Sequence, residues 1–456
     1  MSLNSIMNSS LSGMHLARAG LQTTSHNISN AGTAGFSRQE LMIGSRIGAN
    51  TSYGILGAGA EGTGVRRITD SFLVDRMRSQ GARLTHYSQM DTTLYDIETV
   101  MGSVEGGAVS GAINDFFSSW NDLATPPAND ALRHSVLHSS QRLAEEFSNL
   151  AINLNSLADD LDLQIEAGVS ELNARLEAVA ILNQQILTTE AGSSIANDLR
   201  DQRELILSEI GALTDIDIQS RNDGTVDVII NGRAVVVRNE AERLTVRRDE
   251  GGNGQPGRFI ITTGERGQEI SIGQGHLSAL IESRDVNVLG ALENLNEIAA
   301  TFIDKINELH IQGETHNGHG VMLFTGTNAL DMQVNTAVEN DKSLIATSRN
   351  GFDGDTDLAK EISAMSNTAF DESGNTLGNI FTGMVVDFAS RSGSRQFMVE
   401  SQLQVVQSLE NRLEGLRGVS MDEEAANMAR YQNAYDASAR MVSVVQEMFD
   451  TLFNMV

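Results

Sequence analysis

The most informative stretch for fold class is LAEEFSNLAINLNSLADDLDLQIEAGVSELNARLEAVAILNQQI, residues 143–186. Its apolar residues recur in steps of three and four, the spacing of a stripe along a helix that packs against other helices. The step from Leu161 to Ile165 is again four residues, where regular alternation would give three. Such an irregularity is a stutter, which locally relaxes a supercoil. The pattern predicts one helix of about 50 residues between Pro127 and about Thr188, roughly 75 Å long. The stripe consists of Leu143, Phe147, Leu150, Leu154, Leu157, Leu161, Ile165, Val169, Leu172, Leu176, Val179 and Ile186.

Two further stripes of the same kind lie in the second half of the chain. The first consists of Val288, Leu292, Leu295, Ala299, Phe302, Ile306 and Leu309, and the second of Val399, Val406, Leu409, Leu413 and Leu416. Because these helices come from both halves of the sequence, we expect a rod-like bundle that packs N-terminal helices against C-terminal ones. With only three prolines in 456 residues, little in the sequence interrupts such helices.

Both ends of the chain carry apolar residues in a seven-residue repeat, which predicts two terminal helices with narrow apolar stripes. We expect these helices to pair as a coiled coil with each other, with copies of themselves, or both. An isolated helix of this kind is marginal in water, so assembly would supply the missing packing. The candidate assembly interface consists of Leu3, Met7, Leu11, Met14, Leu21 and Ile28 at one end and Met421, Met428, Tyr435, Val442, Phe449 and Leu452 at the other.

The region 213–275 has a different pattern, with two-residue alternation and β-branched runs that predict short strands. Asn231-Gly232 is typical of a tight hairpin turn between the strands 225–230 and 234–237. Further strands are predicted at 244–246, 259–262 and 270–272, with a flexible tip at 251–257. The predicted fold is therefore mainly α with an inserted all-β domain. We expect a terminal coiled-coil domain (1–65 plus 420–456), a long-helix rod domain (66–212 plus 276–419) and the β domain (213–275).

The composition excludes several classes of function. Sixty acidic residues against 32 basic ones give a net charge of −28, which would repel nucleic acid and anionic lipid. Without cysteine there are no disulfides, zinc–thiolate sites or cysteine nucleophiles. The sequence has no apolar run of about 18 residues and no signal peptide at its N-terminus. We therefore expect no membrane insertion, and either a cytoplasmic location or export by a route that does not use such a signal.

One glycine motif matches the pattern of a dinucleotide-binding loop. Gly57, Gly59 and Gly62 spell G-x-G-x-x-G, which binds dinucleotides only between a strand and a helix. The sequence predicts no strand before it, and a further glycine follows at Gly64. We therefore interpret these residues as a flexible connector and expect no cofactor-binding site.

A histidine cluster and an aspartate cluster are the candidate metal sites. His310, His316 and His319 surround a glycine-rich turn, but they lack the four ligands of a structural zinc site, so a polar loop at a helix end is favoured. The run Asp353, Asp355 and Asp357 resembles the start of a calcium loop. Its sixth and twelfth positions hold Leu358 and Ala364 instead of glycine and glutamate, which favours a solvated loop at a helix start. We expect neither a metal site nor a catalytic site.

Two terminal segments resemble those of a known family. The sequence SHNISNAGTAGFSRQ at 25–39 is similar to the N-terminal signature of bacterial flagellar axial proteins, which form the rod, hook and filament. NMARYQNAYDASAR at 427–440 and EMFDTL at 447–452 resemble their C-terminal signature. Phe36-Ser37-Arg38-Gln39 and the terminal FDTL favour the members found at the hook–filament junction. Ala34 stands where the family commonly has proline, and the stretch 324–341 is short where longer members carry a second β domain.

The resemblance implies a non-enzymatic structural protein of the flagellum that is needed for filament assembly. Such a protein would be exported unfolded by the flagellar type III apparatus, after a cytoplasmic chaperone has held its C-terminal helix. It would self-associate in a layer between the hook protein and a second hook-associated junction protein. The alternatives are another axial component, such as a hook or filament protein, and an extracellular metal-dependent hydrolase built around the histidine loop.

Overall fold

The computed structural model describes residues 3–46, 48–51, 54–102, 107–125, 127–192, 194–248, 257–263, 267–315, 318–352, 354–370 and 373–455. The helices are α1 Leu3–Ser29, α2 Ser71–Met101, α3 Ala108–Leu123, α4 Asp130–Glu190, α5 Asn197–Leu213, α6 His276–Glu282, α7 Leu289–Ile311, α8 Thr336–Asn340, α9 Asp357–Ala364, α10 Leu377–Arg417 and α11 Met421–Asn454. A π-helical turn, Ser283–Val288, joins α6 to α7.

The strands are short, and all of their pairings are antiparallel. They are β1 Gln39–Ser45, β2 Ala49–Thr51, β3 Gly54–Leu56, β4 Ala60–Arg67, β5 Asp217–Ser220, β6 Val226–Ile230, β7 Arg233–Val237, β8 Glu240–Ala241, β9 Leu244–Arg248, β10 Phe259–Thr263, β11 Gln268–Ile270, β12 Glu314–Thr315, β13 Gly318–His319, β14 Phe324–Thr325 and β15 Gln333–Val334. The mainly α fold with a strand-containing central region is confirmed.

The long helix predicted from the stripe at 143–186 is α4, which has 61 residues and spans about 90 Å. Every residue of the predicted stripe is buried except Leu157, which is partly buried. The first half of α4 packs with α3, α7 and α9 around an aromatic core. In that core the Phe302 ring lies 5.3 Å from Phe116 and 5.4 Å from Phe324, centroid to centroid. Helices from both halves of the chain therefore share one hydrophobic core, as the stripes predicted.

Helices α2 and α10 form an antiparallel pair that extends from this core toward the chain ends. Leu73 and Val74 of α2 pack with Leu409 and Leu413 of α10 in a small separate cluster. Leu416, which the sequence placed in the same stripe, is 42 % exposed. The pair therefore forms a two-helix connection between the core and the terminal helices.

The strands of the central region pack directly on the helical bundle. β5 to β8 form one four-stranded sheet, and β9 to β11 form a second sheet of three strands. Asn231 and Gly232 both have positive φ values, 46° and 79°, so the predicted hairpin turn is confirmed. The sheets share a core with Val169, Leu172 and Leu176 of α4 and with residues of α5, while the predicted tip falls largely on 251–256, outside the described residues. The strand region is thus built onto the helices, and its boundaries as an independent domain stay a prediction.

A buried ion pair also ties the second sheet to α4. The guanidinium of Arg284, which is 1 % exposed, donates from Nε to Oδ1 of Asp162 at 2.8 Å. Arg248 of β9 pairs with the other oxygen of the same carboxylate, and the Phe259 ring lies within 5.2 Å of both guanidinium carbons. Burial raises the pKa of Asp162, while the two arginines oppose that shift. A charge buried this way depends on its partners, because losing one of them leaves the other uncompensated.

Gly62 of the glycine motif lies in a β-ribbon, so the prediction of a flexible connector is wrong for this residue, whereas Gly57 and Gly59 lie in the segment that connects β3 to β4. Gly62 is part of β4, which pairs with β1 from Gln39↔Arg67 to Ser45↔Ala60. Gly59 has a φ of +98°, and a Cβ there would lie 2.4 Å from Oγ of Ser12 in α1, so only glycine fits this close approach. The sequence of the ribbon has no alternating apolar pattern that would predict its strands, and Gly59 allows the chain to approach α1 closely.

Candidate assembly site

Helices α1 and α11 pack against each other as an antiparallel pair with a seven-residue register. Asn27 lies beside Glu424, Gly20 beside Tyr431 and Gly13 beside Ser438. Each step moves seven residues forward on α11 and seven backward on α1, as an antiparallel coiled coil requires. The predicted pairing of the two ends is therefore confirmed, and both ends of the described chain lie at the same end of this pair.

The contact surface of α1 consists of small and polar residues. Its buried positions are Ser10, Ala17, Gly20, Thr24 and Asn27. A Cβ added at Gly20 would lie 2.5 Å from the Tyr431 ring, so the absence of a side chain allows the two helices to approach closely. The sequence interpretation followed large apolar residues and missed this stripe, although the spacing 10, 13, 17, 20, 24, 27 was a readable signal.

The large apolar residues predicted as the assembly interface lie mostly beside this contact. On α1, Leu3, Met7, Met14, Leu21 and Ile28 are partly exposed and Leu11 is 39 % exposed. On α11, Met428, Val442 and Phe449 are partly buried, whereas Met421, Tyr435 and Leu452 are exposed. The pair thus leaves much of this apolar surface uncovered, and its contact with neighbouring subunits stays a prediction.

A second apolar stripe on α11 was not predicted. Met441, Met448 and Met455 are spaced by seven residues and are 47 %, 48 % and 78 % exposed, and Val444 lies between the first two. The neighbouring stripe of α11, which contains Val445, faces α1, and Val445 is 1 % exposed. The last four turns of α11 therefore have two apolar stripes, and α1 covers one of them.

A polar clamp holds the base of the helix pair, and we define it by Asn27, Arg38, Gln39 and Glu424. The Asn27 side chain accepts from the Gln39 backbone N–H at 2.9 Å and donates to its carbonyl oxygen at 2.9 Å and to Glu424 at 3.3 Å. Arg38 donates to the carboxylates of Glu424 at 2.8 Å and Glu423 at 2.7 Å. Asn27 and Glu424 are each 1 % exposed. Since a buried polar side chain is costly unless its hydrogen bonds are made, the clamp fixes where α1 ends and α11 begins.

The same segment is tied to the helical bundle through α5. The Gln39 side chain donates to Asp198 at 2.7 Å, and Asp201 accepts from the Ser37 backbone N–H at 3.0 Å and from Arg67 at 2.7 Å. Asn197 donates to the backbone carbonyl oxygen of β4 at Val65, at 2.9 Å. These bonds join the helix pair, the ribbon and α5 in one polar network. The N-terminal signature at 36–39 therefore positions the helix pair relative to the bundle.

Arg203 of α5 faces away from the clamp, toward the strand region. Its guanidinium donates to the side-chain oxygen of Asn183 and to the carbonyl oxygen of Gly224, both at 2.8 Å. Burial lowers the pKa of Arg203 to about 10. Asp201 and Arg203, two residues apart, thus connect α5 to Ser37 and β4 on one side and to α4 and the first sheet on the other.

His310 is a buried core residue, so the expectation of a polar loop is wrong for this histidine. Its ring accepts from the Ala346 backbone N–H through Nε2 at 3.0 Å and donates through Nδ1 to the Val321 carbonyl oxygen. Burial lowers its pKa to about 4. His319 is exposed and lies 3.1 Å from Glu314, and His316 lies outside the described residues. With both of its nitrogens bonded within the core, His310 is not available to a metal.

The aspartate run forms the start of a helix. Asp355 accepts from the Ser348 hydroxyl at 2.6 Å and from the Asp357 backbone N–H at 3.1 Å, and Asp357 begins α9. Asp353 lies outside the described residues. In the part of the chain that the structure describes, no three acidic or histidine side chains form a group that could hold a metal ion. No helix within those residues is long and apolar enough to cross a membrane.

Comparisons with known proteins agree with this architecture. A family model described as the flagellar hook-associated protein FlgK helical domain matches residues 94–324, and a model of the C-terminal region of the flagellar basal body rod proteins FlgEFG matches 417–455. The first covers α3 to α7 with the strand region, and the second covers α11.

Relatives and a solved structure extend the likeness over most of the chain. Flagellar hook-associated protein 1 of Bacillus subtilis is 24 % identical, covering 98 % of this chain and 99 % of the relative. The proteins of the same name from Salmonella typhimurium and Escherichia coli are 22 % and 23 % identical, each covering 99 % of this chain and 100 % of the relative. The flagellar hook junction protein FlgK from Burkholderia pseudomallei has a similar fold, with a TM-score of 0.69 at 13 % identity, covering 76 % of this chain and 100 % of that chain. A family model that spans half of the chain, with relatives aligned along its whole length, places the chain in the flagellar hook-associated protein FlgK family.

Proposed function

We propose that the chain acts as an adapter at the hook–filament junction by packing its terminal helix pair against the pairs of neighbouring copies. As a member of the FlgK family it is a structural component of the flagellum. The adapter role requires a self-associating layer with one side toward the hook protein and the other toward a second junction protein. We propose these two partners from the resemblance of the terminal signatures to those of junction proteins.

The observation that carries this proposal is the uncovered second stripe of α11. Met441, Val444, Met448 and Met455 are between 42 % and 78 % exposed although they follow helical spacing. At about 25 cal/mol per Å² of apolar surface, covering these side chains would contribute several kcal/mol per subunit before the ordering cost is subtracted. A stripe of this size on a helix that already has one partner indicates a second helical partner.

The expectations about export, the chaperone and the domain division belong to the same proposal. Among the described residues, those of α1 and α11 contribute to none of the main hydrophobic clusters, so the pair can open while the bundle stays folded. Such a pair suits a chain that is exported unfolded through the type III apparatus and completes its packing on assembly. It also suits a chaperone that covers the apolar face of α11 before export. We propose a domain division of 1–65 plus 420–456, 66–212 plus 276–419, and 213–275.

Two pairs of substitutions test the assembly surface. Met441→Asp with Met448→Asp changes only the exposed stripe, whereas Val442→Asp with Phe449→Asp also changes partly buried residues. We expect both variants to be exported but to fail in assembling the junction, so that cells lose their filaments and do not swim. The control is Phe352→Asp, since Phe352 is 74 % exposed at a distance from the helix pair. Normal swimming by the Met441→Asp, Met448→Asp variant would refute the proposal.

Immunogold labelling of intact flagella separates the adapter from other axial components. A hook or filament protein forms a long polymer and would be labelled along its length. We expect label at one level only, between hook and filament.

The metal-dependent hydrolase is not favoured, because His310 is engaged in the core, and we propose that the chain has no enzymatic activity.

A further inference from the structure

The outer face of α4 carries an exposed apolar stripe that the assembly proposal does not use. Ile152, Leu163 and Ile181 are 48 %, 66 % and 53 % exposed. They are 11 and 18 residues apart, and at 100° per residue both steps return to the same side of the helix within about 20°. The three side chains therefore form one line about 44 Å long on the side of α4 that faces away from the bundle.

Acidic residues border this line on both sides. Asp159, Glu166 and Glu177 lie along one edge and Asp160 and Glu171 along the other, and all five are exposed. Between the two edges, the exposed positions from 152 to 188 are apolar, small or uncharged. The stripe is therefore an apolar track between two rows of negative charge.

Almost no positive charge from α4 itself balances these rows. Arg175 is the only basic residue in the sequence from 143 to 199, and it is engaged with Glu171 at 3.4 Å and Glu209 at 3.0 Å. The acidic rows consequently give this face a negative potential that attracts cationic groups.

The track deepens into a groove at its C-terminal end. An open groove of about 560 Å³ lies between α4 and the segment 239–243 of the first sheet. Ser170, Ala174 and Ile181 line it on the side of α4, and Ala241 lines it on the side of the sheet. Its charged lining residues are Glu177, Glu242 and Arg243, so carboxylates outnumber the one guanidinium. Small side chains at such a surface let another helix approach closely, as Gly13 and Gly20 do for α11.

We propose that this face of α4 docks a cationic amphipathic helix of another protein. The straight line of apolar residues fits a helix that lies along α4, and the two acidic rows fit lysine or arginine on either side of its apolar stripe. The same face of a second copy is disfavoured, because its acidic rows would repel those of the first. An anionic lipid surface would be repelled for the same reason.

The test uses the full chain and a synthetic helical peptide with a leucine stripe flanked by lysines. Fluorescence anisotropy measures its binding to the parent and to the triple variant Ile152→Gln, Leu163→Gln, Ile181→Gln, which keeps the charge constant. Phe352→Gln is the matched control for loss of one exposed apolar side chain. A shuffled peptide of the same composition measures attraction that depends on charge alone, and circular dichroism checks that each variant is folded.

We expect the parent to bind the peptide, with weaker binding at high salt. The triple variant and the shuffled peptide should each lose about 10-fold or more in affinity, and Phe352→Gln should not change it. A variant with Glu166→Gln and Glu177→Gln should also bind more weakly. The proposal is overturned if the parent does not bind the peptide, or if the triple variant or the shuffled peptide binds as tightly as the parent pair.

Discussion

Replacing Gly20 by alanine tests the register of the terminal helix pair most directly. The added Cβ would lie between 2.5 and 2.6 Å from three atoms of the Tyr431 ring, whereas ordinary contacts begin near 3.4 Å. The ring would have to move by about 1 Å, which at a packed contact costs about 1–3 kcal/mol. Because alanine favours a helix over glycine by about 1 kcal/mol, we expect the free energy of pairing to fall by up to about 2 kcal/mol.

Gly81 of α2 is the matched control. A Cβ there would meet no atom within 4 Å, so Gly81→Ala adds the higher helix propensity of alanine without a steric clash. We expect it to stabilise the protein by about 1 kcal/mol. The two substitutions are chemically identical, and the opposite signs of their effects isolate the Tyr431 contact.

Amide hydrogen exchange along α11 is the appropriate assay, because the pair can open without unfolding the bundle. A loss of 1.4 kcal/mol speeds exchange at the paired positions about 10-fold. A double-mutant cycle with Tyr431→Ala should recover a coupling energy of about 1–3 kcal/mol, since the clash needs both side chains. A coupling energy near zero, or slower exchange in Gly20→Ala, would refute the register described here.

Three further predictions concern buried polar groups. Asn27→Ala removes the central side chain of the clamp and should lower the free energy of pairing by about 1–3 kcal/mol. Amide exchange at the start of α11 should become faster accordingly, and an unchanged exchange rate would contradict the role of Asn27. Stability should fall by about 3 kcal/mol as the pH drops from 6.5 to 4, because His310 is neutral in the fold and its pKa is lowered to about 4, whereas the unfolded chain takes up the proton near 6.5. Urea midpoints against pH should show this slope, and a His310→Gln variant should lack it. Asp162→Asn removes one of the two carboxylates that hold the buried Arg284, the other being Asp285 at 2.7 Å, and should cost about 1–3 kcal/mol in urea unfolding, whereas Asp115→Asn in an exposed pair should cost less than about 1 kcal/mol.

Local periodicity made the long helices and the central strands predictable. The stripe of α4 could be read because its buried residues are large and apolar over more than ten turns. The Asn231-Gly232 turn could be read because few residue pairs adopt two successive positive φ values. These elements depend on side chains near each other in sequence.

The clamp and the contact of α1 with α11 depend on residues far apart in sequence. Asn27 meets Glu424 nearly 400 residues later, and no local pattern indicates that a buried asparagine will find a carboxylate there. Small residues such as Gly20 do not predict a helix contact by the usual criterion, because an apolar stripe is recognised by its large side chains. The sequence does not indicate that His310 is buried, because its partners, Val321 and Ala346, come from segments without regular periodicity.

Because α1 packs against α11, the terminal helix pair forms only in a chain that contains both helices. Helix α1 closes on α11, nearly 400 residues later in the sequence, so a chain that stops before Met421 lacks Tyr431 beside Gly20 and Glu424 beside Asn27. Such a fragment would fold its bundle, whose core ends at α10, yet it would expose the face of α1 that α11 covers in the full chain. A subunit layer built on the paired helices would therefore exclude truncated chains without any separate recognition step.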